Sequence, residues 1–82
     1  MNAIQNFLYK NNRNLYQCID DLSLTYLYKH ENITFLLPTD KSIINTILYN
    51  YSNDIEKSIL QIKSLFIKGY YPKLEHFNKV NI

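Results

Sequence analysis

An apolar run that stops at a proline is the feature that most constrains the fold of this chain. Residues 33–37, Ile-Thr-Phe-Leu-Leu, are β-branched, aromatic or aliphatic, which is typical of a buried β-strand. Pro38 holds Leu37 in an extended conformation, so the strand is expected to end there. Thr39 then stands at a natural N-cap position, and Asp40 adds negative charge to the first turn of a following helix. The sequence therefore predicts a strand, a corner and a helix in direct succession.

Apolar residues at helical spacing precede this corner. Ile4, Phe7 and Leu8 predict a short helix that ends near residues 11–12. A second helix follows the i, i+3, i+4, i+7 pattern, and Asn14 is expected to cap its start. Its apolar face consists of Leu15, Cys18, Ile19 and Leu22. Two helices are therefore expected before the strand.

Two more helices are expected after the corner. The apolar face of the third consists of Ile43, Ile44, Ile47, Leu48 and Tyr51. Ser52 or Asn53 is expected to cap the fourth. The apolar face of the fourth helix consists of Ile55, Ile59, Ile62 and Phe66. Gly69, the only glycine in the chain, is expected to end it in the left-handed conformation.

The predicted fold class is therefore α+β and mostly helical. It has about four helices, a short strand near residues 33–37 and a second short extended piece near residues 70–72. A chain of 82 residues and 9.8 kDa predicts a single domain, residues 1–82. No apolar run approaches the roughly 18 residues that a membrane-spanning helix needs. The start lacks the basic and apolar segments of a signal peptide, which predicts an intracellular protein or a piece of something larger.

Residue types that carry chemistry are sparse. A single glycine cannot build a phosphate-binding glycine loop, and His30 and His76 have no ligand partner at helical spacing. Cys18 has no second cysteine to pair with, and its place on an apolar helix face indicates a buried, inert thiol. The sequence predicts no catalytic, cofactor-binding or metal-binding residue, no cofactor and no small-molecule substrate. A non-enzymatic protein is expected.

Basic and aromatic residues alternate in the second half of the chain. The lysines are Lys57, Lys63, Lys68, Lys73 and Lys79, and the aromatic residues are Phe66, Tyr70 and Tyr71. Such interleaving could bind single-stranded nucleic acid, but a net charge of +2 is weak for that role. The abundance of Asn, Ile, Lys and Tyr also indicates AT-rich codons, as in several large DNA viruses. A solvated helix face with core aromatic residues is the favoured interpretation.

One segment resembles a known family. Residues 34–43, Thr-Phe-Leu-Leu-Pro-Thr-Asp-Lys-Ser-Ile, are similar to the signature of fasciclin domains. That signature has an apolar strand, a Pro-Thr-Asp or Pro-Thr-Asn corner, and a helix that begins with a small and then a large apolar residue. Residues 65–73 are similar to a later stretch of the family, where an apolar pair, an extended pair and Pro72 line up. The family's Tyr-His pair falls on Lys68 and Gly69 here, and its following glycine falls on Lys73.

The resemblance implies the helical first half of a fasciclin domain, truncated before most of its strands. Fasciclin domains are not enzymes and mediate adhesion at cell surfaces, so a protein partner or self-association is expected. Tyr70 and Tyr71 are the expected contact surface, with a core position as the equally weighted alternative. Loss of the family's Tyr-His pair, which is tied to integrin-type adhesion, puts receptor binding through that motif in doubt. Two alternatives remain open: a small helical protein that binds nucleic acid through its lysine-rich half, and a gene remnant without activity.

Overall fold

The structure is a computed structural model that describes residues 1–29, 31–69 and 77–81. Four α-helices, one 3₁₀ helix and three strands make up this part of the chain. In chain order they are α1 (Ala3–Asn11), α2 (Arg13–Asp21), the 3₁₀ helix (Thr25–Lys29), β1 (Ile33–Pro38), α3 (Lys41–Asn53), α4 (Ile55–Lys63), β2 (Phe66–Lys68) and β3 (Phe77–Asn81). The predicted α+β, mostly helical class is confirmed. No helix within these described ranges is long and apolar enough to cross a membrane.

Strand β1 is the centre of the sheet. The strand order is β2-β1-β3, and both neighbours are antiparallel to β1. Phe35 lies opposite Phe66 on one side and Val80 on the other. All six residues of β1 are buried, as expected for an unbroken apolar run. The hydroxyl of Thr34, fully buried in this run, donates to the carbonyl of Gly69 at 2.6 Å.

The helices pack against one face of the sheet. Ile33, Phe35 and Leu37 alternate along β1, so their side chains point to that face and join the core. The core residues with no exposed surface are Ile4, Leu8, Leu15, Ile19, Phe35 and Ile62. Every α-helix except α3 contributes one or two of them, and Ile47 of α3 is almost as deeply buried. A single core therefore joins all four α-helices to β1.

The corner after β1 forms where the sequence predicts it, with one correction. Pro38 is the last residue of β1, and α3 begins three residues later. Asp40, rather than Thr39, is the N-cap of α3, because its carboxylate accepts a hydrogen bond from the Ser42 N–H at 2.9 Å. The cap lies one residue further on because Asp40 already has the extended backbone that an N-cap needs.

The caps predicted for α2 and α4 are also displaced. Asn12 caps α2, and Asn14 is an exposed residue of its first turn. Asp54 caps α4, and Ser52 and Asn53 are the last two residues of α3. In both places one residue ends a helix and starts the next, so its side chain accepts a hydrogen bond from the N–H three residues later. Each junction is therefore a single residue, which is both the C-cap of one helix and the N-cap of the next.

The predicted end of α4 at Gly69 is wrong. The helix stops at Lys63, and Phe66 belongs to β2, where it pairs with Phe35. Gly69 has a φ of 101°, so it does adopt a backbone that favours glycine, but it follows a strand. The helical spacing of Phe66 is overridden because this aromatic residue gains more by pairing with β1 in the core. The second extended piece predicted at residues 70–72 lies outside the described residues, and the sequence does not predict β3.

Candidate functional site

A groove of about 770 Å³ lies where the α1–α2 junction, the end of β1 and α3 meet. We call it the corner groove, because it contains the Pro-Thr corner of the sequence. It is lined by Phe7, Asn11, Asn12, Arg13, Asn14, Leu37, Pro38, Thr39, Lys41, Ile44, Asn45, Leu48 and Asn78. Residues from both halves of the chain therefore form one concave surface.

Asparagine amides dominate the polar part of the groove. The Asn11 amide donates to the carbonyl of Phe7 at 2.8 Å, and the Asn12 carbonyl caps α2. Asn14, Asn45 and Asn78 come from α2, α3 and β3. The side-chain amides of these three make no hydrogen bond to any described residue. Each therefore presents a donor and an acceptor to a bound molecule.

The floor of the groove is apolar. Phe7 and Leu48 are half-buried there, and Leu37 and Ile44, which also line the groove, are buried. Half-buried side chains keep part of their apolar surface in water, and covering that surface stabilises a complex by about 25 cal/mol per Å². The groove thus combines an apolar floor with hydrogen-bonding amides, as ligand-binding surfaces commonly do.

Two cations, Arg13 and Lys41, lie at the groove, each in the first turn of a helix. The Arg13 guanidinium carbon lies 3.6 Å from the centre of the Tyr9 ring, and its Nε donates to the Tyr9 carbonyl at 3.1 Å. Tyr9 in turn makes an edge-to-face contact with Tyr16, with ring centres 5.3 Å apart. None of the described residues that line the groove is acidic, so the formal charge of the described lining is positive.

A second cavity of about 350 Å³ adjoins the groove, since Asn14 and Leu48 line both. Cys18 lines it and is buried, which confirms the predicted buried cysteine, and burial raises the pKa of its thiol. At the other end, the Tyr51 hydroxyl donates to the Asp21 carboxylate at 3.1 Å, which raises the pKa of Tyr51. A thiol with a raised pKa is a poor nucleophile at neutral pH.

The structure places the predicted motif residues in two locations. Pro38 and Thr39 line the corner groove, whereas Asp40 caps α3 and does not line it. Gly69 lies at the end of β2, where its N–H donates to the carbonyl of Asn32. The remaining predicted residues, Tyr70, Tyr71 and Pro72, fall outside the described ranges.

Of the three aromatic residues expected to alternate with lysines in a nucleic-acid site, Tyr70 and Tyr71 lie outside the described residues, and Phe66 is in the core. The Phe66 ring is buried, with its centre 4.9 Å from that of Phe35 and 5.6 Å from that of Tyr28. It cannot stack on a base without leaving the core. The described ranges also contain no group of three or more His, Cys, Asp or Glu residues that could hold a metal ion.

The amides of the groove were not predicted from the sequence. Asn14, Asn45 and Asn78 lie far apart along the chain, and no spacing connects them. Their only signal is the high asparagine content, which AT-rich codons explain equally well. Only the fold shows that these three residues share one surface.

The chain matches no family model, no curated protein and no solved structure. The fasciclin resemblance of residues 34–43 is therefore carried by the local pattern alone. The strand, the proline corner and the helix follow one another in the predicted order, since β1 ends at Pro38 and α3 starts at Lys41.

Proposed function

We propose that this chain is a non-enzymatic interaction module that binds a segment of a protein partner in the corner groove. The observation that carries the proposal is the lining: the amides of Asn14, Asn45 and Asn78 have no partner among the described residues and lie beside a half-buried apolar floor. A polypeptide offers the matching chemistry, because its backbone presents donors and acceptors in alternation and its side chains can cover the floor.

The lining favours binding over catalysis. No His, Cys or acidic residue is among the described residues that line the corner groove, so none of these described side chains is suited to proton transfer near neutral pH. Its cations and amides can orient a bound chain, but they do not form a nucleophile and base within hydrogen-bonding distance. These properties support a binding role.

The fasciclin resemblance supports the same kind of function. Pro38 and Thr39, which carry the resemblance, line the corner groove. An adhesion-type module in the manner of fasciclin domains would then contact its partner through the corner between β1 and α3. We propose that interaction at this corner, rather than through Tyr70 and Tyr71 alone, is the function of the chain.

The experiment is selection from a random-peptide display library against the wild-type protein and against Asn45→Trp. Asn45 lines the groove on an exposed turn of α3, so the indole is expected to fill the groove without disturbing the core. The matched control is Thr46→Trp, at an exposed neighbouring position that does not line the groove. Selected peptides are expected to bind the wild type and Thr46→Trp and not to bind Asn45→Trp. Peptides that bind all three equally, or no enrichment at all, would contradict the proposal.

Self-association through the groove is a separate outcome that the same variants resolve. If a second copy is the partner, light scattering will show a mass that rises with concentration for the wild type and Thr46→Trp. Asn45→Trp is then expected to stay at the monomer mass. A rise in mass that Asn45→Trp leaves unchanged would place the contact on another surface.

A further inference from the structure

We infer that the segment bound in the corner groove is acidic and extended, with carboxylates that pair with Arg13 and Lys41. This inference rests on the proposed function and adds the chemistry of the partner. It is carried by the charges at the groove, by the way Arg13 is held, and by the layout of floor and amides.

The charge at the groove is uncompensated. Arg13 and Lys41 both line it, and neither forms an ion pair with a residue that the structure describes. No acidic side chain is among the described lining residues. Two cations around one concavity, next to a low-dielectric apolar floor, attract a carboxylate more strongly than the same charges on an open surface.

The nearby carboxylates already have partners. Asp40 accepts a hydrogen bond from the Ser42 N–H at 2.9 Å and does not line the groove. Asp21, in the adjoining cavity, accepts from the Gln17 amide at 2.9 Å and from the Tyr51 hydroxyl. Neither carboxylate forms an ion pair with Arg13 or Lys41, so neither of these two described acids competes there with a partner's carboxylate.

Arg13 is held ready to bind a carboxylate. Its Nε donates to the Tyr9 carbonyl, and its guanidinium carbon lies over the Tyr9 ring. Both contacts fix the guanidinium, yet its two terminal nitrogens make no hydrogen bond within the described part of the chain. Those two nitrogens are the pair that binds a carboxylate with two parallel hydrogen bonds. Less side-chain entropy is lost on binding because the guanidinium is already ordered.

The layout of the groove suits an extended chain rather than nucleic acid. Successive side chains of an extended segment alternate in direction, so one can cover Phe7 and Leu48 while the next reaches a cation. Single-stranded nucleic acid would need a row of cations and exposed aromatic rings. The described lining residues include only two cations, and the one aromatic residue among them, Phe7, is half-buried.

The test uses two pools of short peptides and follows the protein by two-dimensional NMR. In the acidic pool, Asp or Glu alternates with Leu, Ile, Val or Phe. In the neutral pool, Asn or Gln replaces each acid. The acidic pool is expected to shift the side-chain amides of Asn14, Asn45 and Asn78 and to bind about ten-fold more tightly than the neutral pool. Added salt should weaken binding of the acidic pool and leave binding of the neutral pool almost unchanged.

The matched variants are Arg13→Gln with Lys41→Gln, and Lys57→Gln with Lys63→Gln as the control. Both pairs remove two positive charges, but Lys57 and Lys63 are exposed on α4 and do not line the groove. The first pair is expected to lose about ten-fold in affinity for the acidic pool, and the control less than two-fold. Circular dichroism verifies that both remain folded. Arg13→Glu with Lys41→Glu should instead favour a pool in which Lys alternates with apolar residues.

The possible outcomes separate this inference from the proposed function. Equal binding of both pools at the groove would overturn the acidic partner and leave the interaction module intact. If the acidic pool does not bind but random peptides do bind the groove, the acidic partner is likewise overturned and the interaction module is left intact. If neither the pools nor random peptides bind there, both proposals fail. Tighter binding of oligothymidylate than of the acidic pool, at the same amides, would make the groove a nucleic-acid site.

Discussion

Two helix pairs in this chain are joined in the same way. Pair one is α1 with α2, and pair two is α3 with α4. The junction residues, Asn12 and Asp54, have nearly the same backbone angles, φ −152° and ψ 80° against φ −153° and ψ 82°. Each N–H donates to the carbonyl four residues earlier, at 2.8 and 2.7 Å, and each side chain accepts from the N–H three residues later, at 3.0 and 3.3 Å. One local geometry therefore serves both pairs.

The two pairs differ in the charge of their caps. Asn2 and Asn12 cap the helices of pair one, and Asp40 and Asp54 cap those of pair two. Asn and Asp are almost equal as N-cap residues, so helix stability does not decide between them. Asn12, however, lines the corner groove, and Asp54 does not. The neutral cap, Asn12, therefore lies where a carboxylate would repel an acidic partner.

The pairs also differ in what they bury. Both pairs contribute apolar side chains to the core, and Leu8 and Leu15 of pair one and Ile62 of pair two have no exposed surface. Pair two also buries polar side chains, Ser58 and Asn50, and the Ser58 hydroxyl donates to the Ile47 carbonyl at 3.1 Å. The Asn50 amide also donates to the Gln61 side chain at 2.8 Å. The same junction therefore accommodates a helix pair whose buried residues are all apolar and a pair that also buries polar side chains.

The largest effect is expected from truncating a buried apolar side chain of pair one. Leu8→Ala should lower the free energy of unfolding by about 3 kcal/mol, because it removes buried methyl groups and leaves a cavity. Ser58→Ala, the matched change in pair two, should cost about 1 kcal/mol through one lost hydrogen bond. Urea unfolding followed by circular dichroism measures both. Equal losses would show that the pairs do not differ in the way that their contacts indicate.

The next largest effect tests whether the junctions are equivalent. Asn12→Ala and Asp54→Ala each remove a side-chain acceptor from the first turn of a helix and are expected to cost about 1 kcal/mol. Asn14→Ala, at the cap position that the sequence suggested, removes no cap and should change stability little. The same urea experiment applies. A loss for Asn14→Ala as large as that for Asn12→Ala would contradict the observed cap.

The junctions also show where sequence reasoning stops. The corner at Pro38 could be predicted because proline limits the backbone of its neighbour whatever the rest of the chain does. Asn12 and Asp54 could not be selected, since the adjacent residues Asn11, Asn14 and Asn53 are equally good caps by type. Which one caps depends on where the previous helix ends, and tertiary packing sets that end.

Phe66 and the groove show the same limit at longer range. Phe66 continues the helical spacing of α4, but the structure pairs it with Phe35, about thirty positions earlier in the chain. The groove unites the first half of the chain with β3, so Asn14 and Asn78 meet only through the fold. Fold class and corner followed from local rules, whereas the candidate site depends on contacts that no local rule contains.

A smaller effect sharpens the difference between the two junction caps. Asn12→Asp preserves the cap of α2 but places a negative charge in the groove, so it should weaken binding of the acidic peptide pool about three-fold. Asp54→Asn is the matched control, because it preserves the cap of α4 away from the groove and should leave affinity unchanged. Stability should stay within a few tenths of a kcal/mol for both. If the wild type, Asn12→Asp and Asp54→Asn bind the acidic pool equally well, the charge of the Asn12 cap does not affect binding at the groove.

The smallest effect is the response of the two pairs to acid. Two hydrogen bonds from Ser42 to the Asp40 carboxylate lower the pKa of Asp40 below its ordinary value of 3.8. The hydrogen bond from the Ser42 hydroxyl has the larger effect, and the one from its N–H the smaller. The stabilisation that this cap gives to α3 is therefore fully present above pH 3.8 and is lost as the pH falls through the lower pKa of the folded state. Asn2, which caps α1 through reciprocal hydrogen bonds with Gln5 at 3.0 Å, does not titrate.

Hydrogen exchange measured by NMR between neutral pH and the acid range compares the two caps directly. After correction for the intrinsic pH dependence of exchange, amides in the first turn of α3 should lose protection at low pH, and those in the first turn of α1 should keep it. Asp40→Asn should make the two helices respond alike, because Asn caps without titrating. Equal loss of protection in α1 and α3 of the wild type would mean that acid weakens the shared core rather than the carboxylate caps of pair two.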